Sequence, residues 1–464
     1  MSALWSSSEA QSATLGEATR AFEITGLSID TRTLKPGDLF VALKGDARDG
    51  HEFVRAAFDA RAAAALVTHA PTGVARDSAL LLVANTQRGL EDLARASRAR
   101  SRAKIVAVTG SVGKTTTKEM LRLAFGALGS TWASAASYNN HWGVPLSLAS
   151  MPRQTAFGVF EVGMNHFGEI RALAGFVRPH VALVTTIAPA HLEFFGTCEA
   201  ITDAKSEIFE TIVPGGAALI PSDSSYAARL MARAKQAGVG RILTFGSTPK
   251  SDARLVSMFE DDHGMKIEAD VLGRNYHFRV GAPGAHIACN AVGAMLAVAA
   301  LEGDVINAGA ALSSFAALKG RGARFNISAG DATATVIDES YNANPASMVA
   351  ALALLGSTEP GKGGRRIAVL GDMLEMGLDG EALHADLAHH IETAKTDLVY
   401  LCGAQMAALW PALPKSRQGG YGATSRDIVD QLAGAVRGGD VVLVKGSLGS
   451  KMAVFIDALK ARAI

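Results

Sequence analysis

Val106-Ala-Val-Thr-Gly-Ser-Val-Gly-Lys-Thr-Thr-Thr117 passes from an apolar strand pattern, through two glycines, into a helical pattern reaching residue 128. Gly110 and Gly113 let backbone N–H groups turn inward around phosphate oxygens, and the helix N-terminus adds the positive end of its dipole. Lys114 supplies a point charge for terminal phosphates, and the Thr115 hydroxyl is suited to Mg2+. Gly110, Ser111, Val112, Gly113, Lys114, Thr115 and Thr116 are therefore expected to cradle a nucleotide. The loop departs from the full GxxxxGK[ST] spacing, because Val108 or Thr109 stands in the region of the first glycine. A glycine-rich turn without a ligand does not explain why strand, GKT and helix occur together. Phosphate binding alone leaves a ligase, a kinase and a GTPase open.

Outward from this loop, strand and helix patterns alternate. Residues 157–162, 181–187 and 217–221 are apolar runs of buried-strand length. Such alternation predicts a parallel sheet with helices on both faces. Residues 319–324 (KGRGAR) read as a hinge, since paired glycines and charges suit an exposed linker. Beyond them, strands at 366–371, 398–402 and 441–445 and helices at 381–394 and 427–436 make a small Rossmann-like unit. Before the phosphate loop lie a strand at 38–43, an alanine-rich helix near 53–65, and a basic stretch at 94–104 that marks a boundary. The expectation is an α/β protein of three domains, 1–100, 101–320 and 321–464, with a central P-loop parallel sheet and a Rossmann-like C-terminal domain.

The 464 residues are too many for one compact domain, and a 48% hydrophobic composition with 48 glycines suits an α/β enzyme. A net charge of +1 gives no global attraction to nucleic acid or anionic membrane. Cys198, Cys289 and Cys402 are odd in number and far apart, which fits a reducing compartment. The first residues lack a signal-peptide pattern, and no run approaches the roughly 20 apolar residues of a membrane span. A soluble, cytoplasmic monomer is expected.

Several single residues gain meaning from their position. Glu161 falls near the C-terminal end of a strand, where open α/β sheets bind ligands, and could hold Mg2+; its alternative is a capping or exposed acid. His191 falls beside Glu161 if their two strands are near neighbours. Lys205, taken alone, is a solvated surface lysine. His286 and Asn290 are four apart and share a helix face, as a packing or capping pair also would.

Together these motifs resemble the Mur ligases of peptidoglycan synthesis. TGSVGKTTT, the NNHWGVP segment from Asn139, EVGMN from Glu161, AHLE containing His191, KSEIF from Lys205 and the His286/Asn290 pair recur in that order, and the resemblance covers essentially the whole chain. SIDTR from Ser28, GDLFVALKG from Gly37, DESYNANP from Asp338 and LGDMLEMG from Leu370 are similar to the member that adds D-Ala-D-Ala. The Asp-Asn-Pro-Arg type motif of the diamino-acid-adding member is absent. The resemblance implies ATP and Mg2+ as cofactors, and UDP-N-acetylmuramoyl-tripeptide and D-Ala-D-Ala as partners joined through an acyl phosphate. It implies catalytic roles for Lys114, His191 and Lys205. Thr115, Glu161, His191 and Lys205 would surround the metal, Lys205 as a carbamate. His286, Asn290, Arg321, Asp338 and Tyr341 would approach the nucleotide. Ser28, Asp30, Thr31, Arg32, Lys44, Asn139, Asn140 and His141, with Asn342, Asn344 and Ser347 at the dipeptide end, would contact substrate; Lys445 and residues 446–450 are looser candidates there. The alternatives are another amide ligase of the superfamily, diamino-acid-adding or folate polyglutamate-forming, and, from a different class, a P-loop switch or transport ATPase.

Overall fold

The computed structural model describes residues 3–75, 77–135, 137–261 and 263–462. Short runs between turns build the strands of the first unit: β1 (Trp5–Ser6), β2 (Glu17–Ala18), β3 (Glu23–Ile24), β4 (Gly26–Ser28), β5 (Asp38–Val41), β6 (Ala64–Val67) and β7 (Leu80–Leu82). β1 and β3 pair separately, and the others stand in the order β2-β7-β6-β5-β4, parallel except for β2. The alanine-rich stretch expected as one helix is divided. Helix Val54–Asp59 ends near Arg61, whose φ is 68°, and the chain re-enters as β6. All four residues of β6 are fully buried between β5 and β7, so strand pairing outweighs alanine's helical preference.

The basic stretch at 94–104 is no loose connector, because helix Thr86–Arg100 runs through most of it. Arg98 donates to the carbonyls of Val177 and Arg178 at 2.7 and 2.8 Å. Arg100 donates to the Leu4 carbonyl at 3.0 Å and lies over the Trp5 ring, 3.6 Å from its centroid. Arg98, which looks like part of a solvated run, therefore fastens the first unit to the second, while Arg100 ties the helix to the N-terminal segment of its own unit.

The central sheet comprises β8 (Lys104–Thr109), β9 (Thr131–Ala133), β10 (Phe157–Glu161), β11 (Val181–Val184), β12 (Ala217–Pro221), β13 (Arg241–Gly246), β14 (Ala253–Asp261), β15 (Gly264–Val271) and β16 (Arg274–Val280). Their order is β16-β15-β14-β13-β12-β11-β8-β10-β9. Strands from β9 across to β14 are parallel, as expected, while β15 and β16 add an antiparallel extension that the sequence reading did not include. Val106 and Val108 face a core shared with helices Lys114–Gly126 and Ala285–Ala300, whereas Ile105 and Ala107 face the opposite core with Val144, Leu173, Ile201 and Leu230. Burial on both faces is why β8 reads as an unbroken apolar run.

The third sheet holds β17 (Ala323–Ala329), β18 (Ala332–Glu339), β19 (Arg366–Gly371), β20 (Leu398–Cys402), β21 (Gln418–Gly422) and β22 (Val441–Lys445), in the order β17-β18-β22-β19-β20-β21. Only the β17–β18 pair is antiparallel. The helix expected at 381–394 is two, Gly380–Ala385 and Leu387–Thr393, meeting at Asp386. The ψ of −21° at Asp386 is that of a tighter 3₁₀ turn. The expected hinge is pinned at one end: Arg324 already lies in β17, and Gly320 and Gly322 donate their N–H groups to Asp338. Among the described residues, no helix is long and apolar enough to cross a membrane.

Candidate active site

β8 lies between β11 and β10, so the loop leaving β8 is flanked by the loops that follow both neighbours. Gly110 takes φ 146°, and a Cβ there would lie 1.9 Å from the Thr185 hydroxyl oxygen. Gly113 takes φ 86°, and its missing Cβ leaves room for the Asn290 amide, 3.0 Å away. Gly113 precedes helix Lys114–Gly126, which has no side-chain cap. The first turn's N–H groups have no intrahelical acceptor, which makes them available to an anion. Ser111 is differently engaged: its N–H donates to the Thr186 carbonyl and its hydroxyl to that of Ala188, both across to the loop after β11. The Lys114 ammonium donates to the Gly110 carbonyl at 2.7 Å. Desolvation holds its pKa below the usual lysine range, with Glu161 opposing and Arg321 adding to the effect.

Glu161 is the last residue of β10 and is 1% exposed. Its two carboxylate oxygens accept from the Thr115 hydroxyl at 2.8 Å and the Asn139 amide at 2.7 Å. A buried carboxylate beside the phosphate-loop threonine is a pair of hard oxygen donors, as Mg2+ requires. No three His, Cys, Asp or Glu side chains converge among the described residues, so such a cation would depend on phosphate oxygens and water for its remaining ligands. The fit is that of a nucleotide-assisted Mg2+ site.

β11 ends at Val184, earlier than expected, because Thr185 turns to bind the phosphate loop: its hydroxyl donates to the Val112 carbonyl at 2.5 Å. His191 follows with φ 59°. β8 intervenes between the strands that lead to His191 and Glu161, so the two are not on adjacent strands. His191 Nδ1 instead meets Glu375 of the third unit at 2.5 Å. Burial lowers the His191 pKa; Glu375 opposes this, and Lys205 and Lys114 add to it. Lys205, on helix Cys198–Ser206, is 2% exposed, which overturns the surface-lysine alternative. Burial drives its pKa well below that of an ordinary lysine, and the Lys114 charge adds to the shift.

The segment from Tyr138 to Trp142 links this centre to the first unit. Asn139 orients Glu161, and Asn140 caps helix Gly143–Ala149 by accepting from the Gly143 N–H at 2.9 Å. His141 is exposed and receives Gln87 on its carbonyl. Gly45, next to the exposed Lys44, packs toward Trp142. In the SIDTR turn, Ser28 donates to the Asp30 carbonyl, and Arg32 holds the Asp30 carboxyl below its usual pKa by direct hydrogen bonds. Thr31 is partly buried in that turn. The side chains of Asn139 and Asn140, expected at a substrate, are thus engaged within the protein.

The DESYNANP motif is likewise largely architectural. Asp338, expected toward a nucleotide, is 1% exposed and accepts from the Gly320 N–H at 3.0 Å and from the Ser340 N–H and hydroxyl, so its carboxylate organises the linker. Asn344 and Ser347, expected at a substrate, form a reciprocal capping box on helix Pro345–Ser357. The Asn342 carbonyl and the Glu339 carboxylate receive the buried Lys445 ammonium at 3.0 and 3.2 Å. Arg321 lies over the exposed Tyr341 ring, 4.1 Å from its centroid, and reaches the Ser137 hydroxyl at 3.3 Å. That hydroxyl is 3.5 Å from the Thr115 hydroxyl, so Arg321 joins the centre, as does Asn290 behind Gly113. His286 is exposed in the first turn of helix Ala285–Ala300, and Thr116 is partly buried in that of Lys114–Gly126.

Sequence reading missed Ser137 and Glu375 as parts of the centre. Ser137 sits two residues before Asn139 without a periodic signal, and Glu375 lies inside the quoted LGDMLEMG stretch, where nothing local marks it. It also missed a cavity of about 350 Å3 at the C-terminal ends of β19 to β22, lined by Asp372, Cys402, Thr424, Arg426, Ser450 and Lys451 among others.

Known proteins share this sequence and architecture. Residues 23–104 match the Mur ligase family, catalytic domain; residues 108–298 match the Mur ligase middle domain; residues 323–448 match the Mur ligase, glutamate ligase domain. The UDP-N-acetylmuramoyl-tripeptide–D-alanyl-D-alanine ligase of Rickettsia prowazekii is 31% identical over 98% of this chain and 99% of its own. The enzyme of that name from Escherichia coli is 33% identical over 94% of each chain. The crystal structure of MurF from Acinetobacter baumannii superposes with a TM-score of 0.84 at 28% identity, covering 98% of this chain and 99% of that one. Thermotoga maritima MurF, solved with ADP, shares the fold at a TM-score of 0.77 and 24% identity, over 94% and 97% of the two chains. Identity above 30% along nearly the whole of both chains shows that this protein belongs to the Mur ligase family.

Proposed function

We propose that the protein is the ATP-dependent, ADP-forming ligase that joins D-Ala-D-Ala to UDP-N-acetylmuramoyl-tripeptide in the synthesis of the peptidoglycan precursor. The observation that carries this reading is the meeting of Lys114, the Thr115–Glu161 pair, buried Lys205 and Arg321 around an uncapped helix N-terminus. A carboxylate resists nucleophiles because of its charge. Transfer of the terminal phosphoryl group of ATP onto the tripeptide carboxylate removes that charge and creates a leaving group. The dipeptide amine then adds to the carbonyl carbon, the amine gives up its proton, and the tetrahedral intermediate collapses with loss of phosphate. Lys114 and the loop N–H groups stabilise charge on the transferring phosphoryl group, which is electrostatic catalysis with positioning. Thr115, Glu161, His191 and a modified Lys205 would hold Mg2+, which when bound neutralises phosphate charge.

Lys205 suits carbamate formation. Its depressed pKa favours the neutral amine, whose lone pair can add to CO2 with loss of a proton, which would turn a buried would-be cation into an anionic oxygen donor near Lys114. Arg321, Tyr341, His286 and Asn290 flank the nucleotide in this reading. The first unit, residues 1–100, takes the UDP-sugar, and the middle one, residues 101–320, takes ATP. Residues 321–464 take the dipeptide, whose carboxylate fits the cavity bearing Arg426 and Lys451. The enzyme acts in the cytoplasm as a monomer.

The deciding experiment measures phosphate release from ATP with UDP-N-acetylmuramoyl-tripeptides, with and without D-Ala-D-Ala. Release that depends on both is expected. Release at the same rate without the acceptor amine would overturn the ligase reading in favour of an ATPase.

A further inference from the structure

The contact between the second and third units falls on a side chain of the centre itself. His191 Nδ1 and Glu375 Oε2 are 2.5 Å apart, and the Glu193 N–H donates to the Glu375 carbonyl at 3.2 Å. An ionised carboxylate only accepts hydrogen bonds, so the proton resides on Nδ1 and the lone pair of His191 is left on Nε2. Both residues hold positive φ, 59° and 62°, a backbone region that non-glycine residues rarely occupy.

Glu375 is presented on a loop with little slack. Met373 and Met376 are buried in the core of the third unit. The Met373 N–H donates to His384 Nε2 at 2.8 Å, and the Leu374 N–H donates to the Ser447 hydroxyl at 2.9 Å. Gly377, with φ 65°, then lets the chain pass close to Glu193. His191 also lies within electrostatic reach of Lys205 and Lys114. One imidazole is thus held by the third unit while it feels the charges of two lysines of the second.

We propose that Glu375 is a positioning residue. The third unit supplies the carboxylate that fixes the tautomer and aim of His191, so the divalent-cation site of the middle unit is complete only when the two units meet. Carboxylates that fix a metal-binding histidine in this way act through ring orientation and ligand basicity. The consequence is that phosphoryl transfer is coupled to arrival of the unit that carries the amine. An acyl phosphate then forms where its acceptor waits and water is excluded. This inference rests on the reading of His191 as a cation ligand.

The test uses the full-length protein with Mn2+, a non-hydrolysable ATP analogue and UDP-N-acetylmuramoyl-tripeptide. Electron paramagnetic resonance gives the Mn2+ affinity, and electron spin echo modulation detects an imidazole nitrogen bound to the ion. The Glu375 side chain is 41% exposed, so Glu375→Ala and Glu375→Gln should both fold, which thermal unfolding checks. Wild type should show the nitrogen modulation. Glu375→Ala should weaken Mn2+ binding about 10- to 100-fold and lose the modulation. Glu375→Gln, whose side-chain oxygen accepts the same N–H, should regain most of both. Wild-type affinity and modulation in Glu375→Ala would overturn the positioning role alone. Absence of modulation in the wild type would overturn it together with the His191 assignment, leaving the ligase reading to the phosphate-release assay.

Discussion

Replacing Gly110 with alanine tests the phosphate loop where its geometry is tightest. The residue sits at φ 146°, and an added Cβ would lie 1.9 Å from the Thr185 hydroxyl oxygen and 3.1 Å from the Thr186 nitrogen. Backbone strain at such a conformation costs about 1–3 kcal/mol. The Thr185 hydroxyl, with one proton to donate, must also leave the Val112 carbonyl, which it reaches at 2.5 Å, losing about 0.5–1.5 kcal/mol. A combined loss of about 1.5–4.5 kcal/mol lowers the melting temperature of a unit this size by roughly 3–18 °C. Activity should fall further than stability, because the Gly110 carbonyl anchors the Lys114 ammonium, and a shift of about 1 Å in a reacting group costs on the order of 10²-fold. Thermal unfolding and steady-state ligation assays measure the two effects. Thr185→Ala removes the clashing atom, so the double variant should lose less than the sum of the single losses. A Gly110→Ala protein with unchanged melting and turnover would refute the reasoning, as would strict additivity in the double variant.

Lys114→Ala should leave melting nearly unchanged and lower the ligation rate on the order of 10²–10³-fold, since it removes one charge from the transferring phosphoryl group; near wild-type turnover would exclude the phosphate-loop role. Lys205→Ala should be almost inactive, and short-chain carboxylic acids added to it should restore part of the rate by replacing an anionic oxygen donor; no rescue at any chain length counts against the carbamate. His180 makes a pH prediction. Burial, with Arg98 and Lys104, lowers its pKa to about 4, and its Nδ1 accepts the Ile105 N–H at 3.0 Å, which requires the neutral ring. Between about pH 6.5 and 4 the unfolded chain binds the proton and the folded one does not, so this contribution is complete above 6.5 and is lost as pH falls through that window. Its partial exposure limits the loss to about 2 kcal/mol, and His180→Gln should show a shallower fall in denaturation midpoint across the same range.

What was legible in the sequence follows from where burial is two-sided. β8, β12, β19, β20 and β22 are short runs with apolar centres, charged only at an end in β8, β19 and β22, and the structure places them close to where the pattern does. The antiparallel extension escaped because much of β14 is exposed, from Ser257 to Glu260, so no buried-strand run marks it. The alanines of β6 carry no strand preference of their own and become a strand only through β5 and β7. The phosphate loop was legible because its chemistry is local: strand, glycines, lysine and helix are consecutive. The partners of Glu161 and His191 were not, since Asn139 lies 22 residues from the first and Glu375 lies 184 from the second. Polar motifs also mislead when their atoms turn inward. DESYNANP reads as a ligand site, yet Asp338, Asn344 and Ser347 direct their side chains to the linker and the helix cap.

The charge balance of the centre explains why its parts act together. Lys114, Lys205 and Arg321 lie within mutual electrostatic influence: Arg321 lowers the Lys114 pKa, and Lys114 lowers that of Lys205. Glu161 is the carboxylate that opposes this at Lys114, and it is shared with Thr115 and Asn139. Like charges held in a desolvated space disfavour their own ionised forms, so without an anion this arrangement is unfavourable to itself. Nucleotide phosphates would relieve the repulsion at Lys114 and Arg321. A carbamate at Lys205 would relieve it from the opposite side and supply oxygens where a cation needs them. A single lysine, glutamate or arginine here would be an ordinary buried or surface charge; their gathering around the loop after β8, with Arg321 joining through Ser137, is the arrangement that a highly charged anion would relieve.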